Sequence, residues 1–258
     1  MRVVNIISAL VLVAAPLLPA QDETASEIIA RALQNPTNGQ AIARAIWTFN
    51  KNFETGLIPA FRELFQKVSD KQHRQHLAVS LMNHGQKDEL YFNELARYAR
   101  EAITTTAPLP FEYDKQGNEI KGQLTPAFKL WCETNGLELK VCLNKVADYP
   151  VDVMLLIAVE DPRAKPLLRQ GLSATIHTTV EMAVKGLAEL NDTESIPLIA
   201  ANIQRFPPLL AESIAAAMAD FDDPRIGPLL DRFVTDQKWR EQINESIRKR
   251  RAQPRPRE

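Results

Sequence analysis

The chain has 258 residues, 45% of them apolar, with only 9 glycines and 7% aromatics, enough to bury one good core or an elongated array. Its formal charge is −1; Arg2 contributes one positive charge and residues 248–258 a net +5, which leaves residues 21–247 at −7. An acidic body of this kind excludes a nucleic-acid groove, because holding phosphates requires a cationic one.

Residues 1–20 begin with the single cation Arg2, run through the apolar stretch 6–15, and end Pro16-Leu-Leu-Pro-Ala20 before the polar Gln21-Asp-Glu. A basic start, a short apolar middle and a small residue before a polar switch describe a secretory signal peptide, with cleavage after Ala20. The alternative is an amino-terminal membrane anchor, but the run falls short of the roughly 20 residues that span a bilayer and contains Pro16. The expectation is export, periplasmic or secreted, with no transmembrane segment in the mature chain.

Residues 22–34 and 40–52 form a first predicted helix pair, broken at Asn35-Pro-Thr-Asn-Gly39. The next predicted helix, 55–68, carries Leu57, Ile58, Phe61, Leu64 and Phe65 on one face and Pro59 near its start; 70–84 and 87–103 supply two more. Residues 21–103 are therefore expected to be irregular helical repeats. Residues 104–124 are too rich in proline and turn residues to be helical, and a connection this long is either functional or disordered. Within it Phe111 and Tyr113 are candidate contact anchors beside a small hairpin turning at Gln116-Gly-Asn118. Helices resume over 125–133 and 137–147, joined at Asn135-Gly136, and then over 151–159. Cys132 and Cys142 flank that turn. In an exported chain an even cysteine count invites a disulfide, and both a bridge and two buried free thiols fit the spacing.

Residues 160–234 repeat. Asp161, Asp192 and Asp223 stand 31 apart, and so do Pro166, Pro197 and Pro228, each proline being followed by Leu167, Leu198 and Leu229. A period in the low thirties with helical spacing inside it marks a two-helix solenoid unit. The aspartates are expected to cap first helices, with Pro162 and Pro224 at the first helical position. Pro166, Pro197 and Pro228 fall about a turn further on, where each should bend its helix. Second helices carry Ile176, Val180, Ala183, Leu187 and Leu190 in one unit and Leu210, Ile214, Met218 and Phe221 in the next, with His177, Glu181, Lys185 and Glu212 directed away from the core.

The runs Glu160-Asp-Pro-Arg-Ala-Lys-Pro-Leu-Leu, Asn191-Asp-Thr-Glu-Ser-Ile-Pro-Leu-Ile and Asp222-Asp-Pro-Arg-Ile-Gly-Pro-Leu-Leu resemble the opening of HEAT-like repeats, the short class that also occurs in phycobilin lyases. The resemblance covers about 75 residues. It departs from the pattern where an arginine often stands early in the second helix, since Val180 and Ala211 are apolar here. What it implies is an all-α fold, a right-handed α-solenoid of stacked antiparallel helix pairs with one non-helical insertion, acting as an interaction scaffold. Residues 236–251, with Trp239, Ile243 and Ile247 on an otherwise charged helix, suit a terminal cap over residues 125–249, and 250–258 a basic disordered tail.

Catalytic motifs are not found. His73 and His76 are three apart on a predicted helix, but no carboxylate at ligand spacing completes a metal site, and both are expected to face solvent. There is no His-Glu dipeptide of the kind shared by iron-binding HEAT-repeat hydroxylases, no Gly-x-Ser-x-Gly and no phosphate loop. The leading expectation is a non-catalytic scaffold with no cofactor, binding an unidentified protein along the second helices, where Thr178, Glu181, Lys185, Glu212 and Ser213 are candidate surface residues. The alternatives are an envelope adaptor touching anionic lipid or polymer weakly through its basic tail, and a bilin-lyase-like enzyme or accessory, which would need a pocket holding Cys132 or His177 with a base.

Overall fold

The computed structural model describes residues 23–252, so the expected signal peptide and the end of the basic tail lie outside the described residues. Among the described residues the chain forms thirteen α-helices and one two-stranded sheet, an all-α architecture with a small β insertion. No helix among them is long and apolar enough to cross a membrane. The chain divides into two compact units, residues 1–97 and 98–258.

In the first unit α1 (Ala25–Gln34) opens on a capping box: the Thr24 hydroxyl receives the Glu27 N–H, and the Glu27 carboxylate receives the Thr24 N–H at 2.8 Å. Asn38 caps α2 (Gly39–Lys51) and Asp70 caps α4 (Lys71–Asn83). Between them α3 (Ile58–Lys67) follows a 3-10 turn over Thr55–Leu57, so that Pro59 sits at the start of the α-helix, where no amide donor is required. The helices pair α1 with α2 and α3 with α4. The pairs stack like on like, α1 against α3 and α2 against α4. Phe49 of α2 and Phe61 of α3 are fully buried and stacked at 3.8 Å.

Arg74 closes this core. Its guanidinium lies over the Phe65 ring, donates to the carbonyls of Phe65 and Val68 at 3.1 and 3.2 Å, and pairs with Glu94 at 2.9 Å. The division between the units falls inside α5 (Glu89–Thr104).

In the second unit β1 (Phe111–Tyr113) and β2 (Glu119–Leu124) pair antiparallel, so the expected hairpin forms. Helix α6 (Pro126–Thr134) turns into α7 (Leu139–Ile157), which runs without interruption through Pro150 and joins two segments that the sequence suggests are separate. Burial of Val146, Tyr149, Val153 and Leu156 on both sides of the proline offsets the lost backbone bond. The repeats follow: α8 (Lys165–Gly171) with α9 (His177–Glu189), α10 (Ile196–Ile203) with α11 (Pro208–Ala217), and α12 (Ile226–Phe233) with α13 (Gln237–Ala252). Helix α9 packs against both α7 and α11. Helix α13 ends at Ala252, one residue past the end of the helix expected over 236–251.

Two expectations about the repeats change. Pro166 and Pro197 do not interrupt a helix, because 3-10 turns at Pro162–Ala164 and Thr193–Ser195 precede the α-helices and leave both prolines in the first two helical positions. Pro228, third in α12, also lies among the amides that have no partner inside the helix. The aspartates also differ among themselves. Asp161 and Asp223 accept the N–H two residues on, at 3.0 and 2.9 Å, and each is gripped by the arginine at that position.

Asp192 has Glu194 at that position instead of an arginine. It receives Arg169 from the preceding repeat, through Nε at 2.7 Å and Nη2 at 2.6 Å. A buried carboxylate needs a matched cation, and the neighbouring repeat supplies it. Arg225 donates back across the repeats to the Thr193 carbonyl at 3.0 Å, and Arg205 donates to the carbonyls of Leu172, Ser173 and Ala174. A polar ladder therefore exists, built from first helices and the turns before and after them and not from the second-helix positions of Val180 and Ala211.

Candidate functional site

The candidate site lies in the second unit, where the insertion meets the starts of α9 and α11. Asp114 shapes the hairpin tip: its Oδ1 accepts the N–H groups of Gln116, Gly117 and Asn118 at 2.9, 2.8 and 2.9 Å, and its Oδ2 accepts the Asn118 side-chain amide at 2.9 Å. The Asn118 side chain first, then these backbone amides, hold the carboxyl below the ordinary aspartate range. Gly117, at φ +97°, is buried so tightly that a Cβ there would sit 3.1 Å from the Leu209 nitrogen. Only glycine meets both conditions at low cost. The Gln116 carbonyl accepts the Leu209 N–H at 2.9 Å, so the hairpin serves an amide in the first turn of α11 that the helix itself leaves without a partner.

The base of the insertion is pinned as well. The Thr175 hydroxyl, ahead of α9, donates to the Ala107 carbonyl at 2.6 Å, and Thr125 donates to the carbonyls of Leu109 and Pro110 at 2.8 and 3.0 Å. Tyr113 lays its ring edge-on to His177, centroids 6.0 Å apart. Burial raises the Tyr113 hydroxyl above its usual value, with Glu119 adding to the shift, and burial lowers His177. The His177 Nδ1 is buried and without a hydrogen-bond partner.

Of the residues expected on the binding face, Phe111, Tyr113, Thr178, Glu181, Lys185 and Ser213 are all partly exposed. Ser213 donates to Glu181 at 2.7 Å, tying α11 to α9. Glu212 is a correction. It is 2% exposed and accepts the Thr235 N–H at 2.7 Å together with the Thr235 hydroxyl, and so holds the link between α12 and α13. The reason is that α11 is covered on two sides, by α9 and by α12, so its buried surface is wider than its apolar stripe.

The histidines divide in the same way. His73 does pair with Asp70 at 2.6 Å near the surface, but His76 is 6% exposed, because α4 is buried almost all round from Gln75 to Met82. Among the described residues no three histidines, cysteines or carboxylates are grouped so as to hold a metal. Cys132 and Cys142 are brought together as buried free thiols.

Sequence reasoning missed Asp114, although the Asp-x-x-Gly-Asn spacing signals a side chain closing on its own turn. It also missed Thr175 and Leu209 as anchors, for which no local signal exists. Comparison of the chain with protein families, with curated proteins and with solved structures gave no match.

Proposed function

We propose that the chain is an exported, non-catalytic scaffold of HEAT-like repeats that binds another protein along its second helices. In this reading the helix pairs form a right-handed α-solenoid, and the recognition surface is the strip where α9 and α11 emerge beside the hairpin. Tyr113 and Phe111 supply aromatic area, and Thr178, Glu181, Lys185 and Ser213 supply polar contacts of mixed charge, the composition that suits a protein partner better than a polyanion.

The observation that carries this proposal is that the insertion between α5 and α6 is anchored at its tip and its base on the second-helix side of the repeats. A long ordered loop held by a rigid array is where binding residues concentrate. The packing of α9 against both α7 and α11 and the Arg169–Asp192 link between repeats support the solenoid. Glu181, the carboxylate one helical turn from His177, is engaged by Ser213, which favours recognition over proton transfer as the role of this face.

The test is affinity capture from the native envelope extract with three baits: the wild-type chain, Tyr113→Ala, and Tyr113→Ala with Lys185→Glu. The proposal expects one protein recovered stoichiometrically by the wild type and lost progressively by the variants at unchanged helical circular dichroism. Recovery indifferent to both substitutions, or recovery of lipid or glycan alone, contradicts it.

A further inference from the structure

Helix α6 is nine residues long, and its only buried side chains are Phe128 and Cys132. Lys129, Leu130, Glu133 and Thr134 are exposed, Leu130 to 63%. So short a helix with so narrow a buried face is marginal unless something fastens it. Its neighbour is α7, reached through a turn in which Gly136 adopts φ +63°, the Gly136 N–H meets the Glu133 carbonyl at 3.0 Å, and the Leu137 N–H meets the Cys132 carbonyl at 3.0 Å. Cys142 is fixed on the other side of that turn, its own N–H on the Glu138 carbonyl at 3.0 Å. The turn thus holds both cysteine backbones, and the two thiols, 3% and 0% exposed, are buried neighbours across it.

We propose that Cys132 and Cys142 are a disulfide site, closed by a small-molecule or protein disulfide while the chain is still folding, and that the bridge staples α6 to α7. The thiolate of one cysteine attacks the oxidant's disulfide and expels one thiolate. The second cysteine then attacks the resulting mixed disulfide, the Sγ–Sγ bond forms, and a second thiolate leaves. Two electrons pass to the oxidant, and the two protons lost by the cysteines go to its two sulfurs.

The timing follows from burial. In the folded chain desolvation, together with the adjacent Cys142 thiol, pushes Cys132 up to about 11, which leaves little of it as the reactive thiolate, and burial keeps an oxidant from reaching either sulfur. Oxidation is fast only before this site is covered. Once formed, the bridge is shielded from reductants in the same way, which makes it a structural staple. The proposal rests on the placement of the two thiols and not on the scaffold or export readings.

The test uses the full chain, reduced and unfolded, then refolded with a mixture of reduced and oxidised glutathione. The expected product has lost two hydrogens by intact mass and yields a linked Cys132–Cys142 peptide. Relative to the same chain kept reduced, its thermal midpoint is higher by about 5 °C and amide exchange across residues 126–134 is at least about tenfold slower. Adding oxidised glutathione after folding gives the bridge far more slowly. Quantitative alkylation of both cysteines after refolding, a stable glutathione adduct on either, or a bridge that leaves exchange in α6 unchanged would each overturn the proposal.

Discussion

The helix pairs α1 to α4 and the repeats from α8 to α12 solve one packing problem in two ways. Both set successive helices in contact, and α3 even enters through the same 3-10 turn and early proline as α8 and α10. In the first group the contact between pairs is apolar, centred on Phe49 and Phe61. In the second, an aspartate at the head of each unit is matched by an arginine, from its own turn at Asp161 and Asp223 and from the preceding unit at Asp192. Apolar burial has no direction and tolerates drift in register, whereas a buried carboxylate requires its cation at one place. Polar punctuation is thus what keeps a period strict.

The sharpest way to break the comparison is to remove the apolar contact. Phe61→Ala should destabilise by about 3–5 kcal/mol in urea unfolding, since Phe49 loses its stacked partner in a fully buried site. Asp192→Ala should cost about 1–2 kcal/mol, less than a fully buried pair because Arg169 keeps 39% exposure and can fall back on Glu194. Asp223→Ala should cost less again, its arginine being 50% exposed.

A pH series separates the two regions further. Burial lowers His76 and His84 in the first unit and His177 in the second. Above the unfolded value of about 6.5 both states are neutral and stability is flat. As pH falls below it the unfolded chain takes up protons that the folded chain resists, so stability drops until the lowered folded values are passed. Urea midpoints at pH 7.5 and 5 should differ in that direction, and His76→Leu should reduce the difference. The smallest effect is a gain: Glu160→Gly should stabilise by about 0.5–1 kcal/mol, because Glu160 holds φ 47° without a residue suited to it, while Asn191→Gly at the same φ should change little.

Helices and the three-unit period were legible because apolar spacing and paired Asp and Pro positions are local properties. Pro166 and Pro197 were misplaced by a turn because a 3-10 start adds residues that no residue type announces. The segments 137–147 and 151–159 read as separate, since nothing nearby in sequence reveals how much of α7 is buried around Pro150. Glu212 reads as a surface group because its partner, Thr235, lies 23 residues away. The hairpin turn was visible at Gln116-Gly-Asn118, but its seat on Leu209 depends on chain brought in from more than 90 residues on.

The most direct test of the stacked second helices is at Gly186, where a Cβ would lie 2.6 Å from Ile157 Cγ1 and 2.9 Å from Leu168 Cδ1. Nuclear Overhauser spectra of methyl-labelled protein should connect the Gly186 Hα protons with the δ-methyls of Ile157 and Leu168. Their absence in folded protein, with Gly186 seen only against its own helix, would contradict the packing of α9 on α7 and α8.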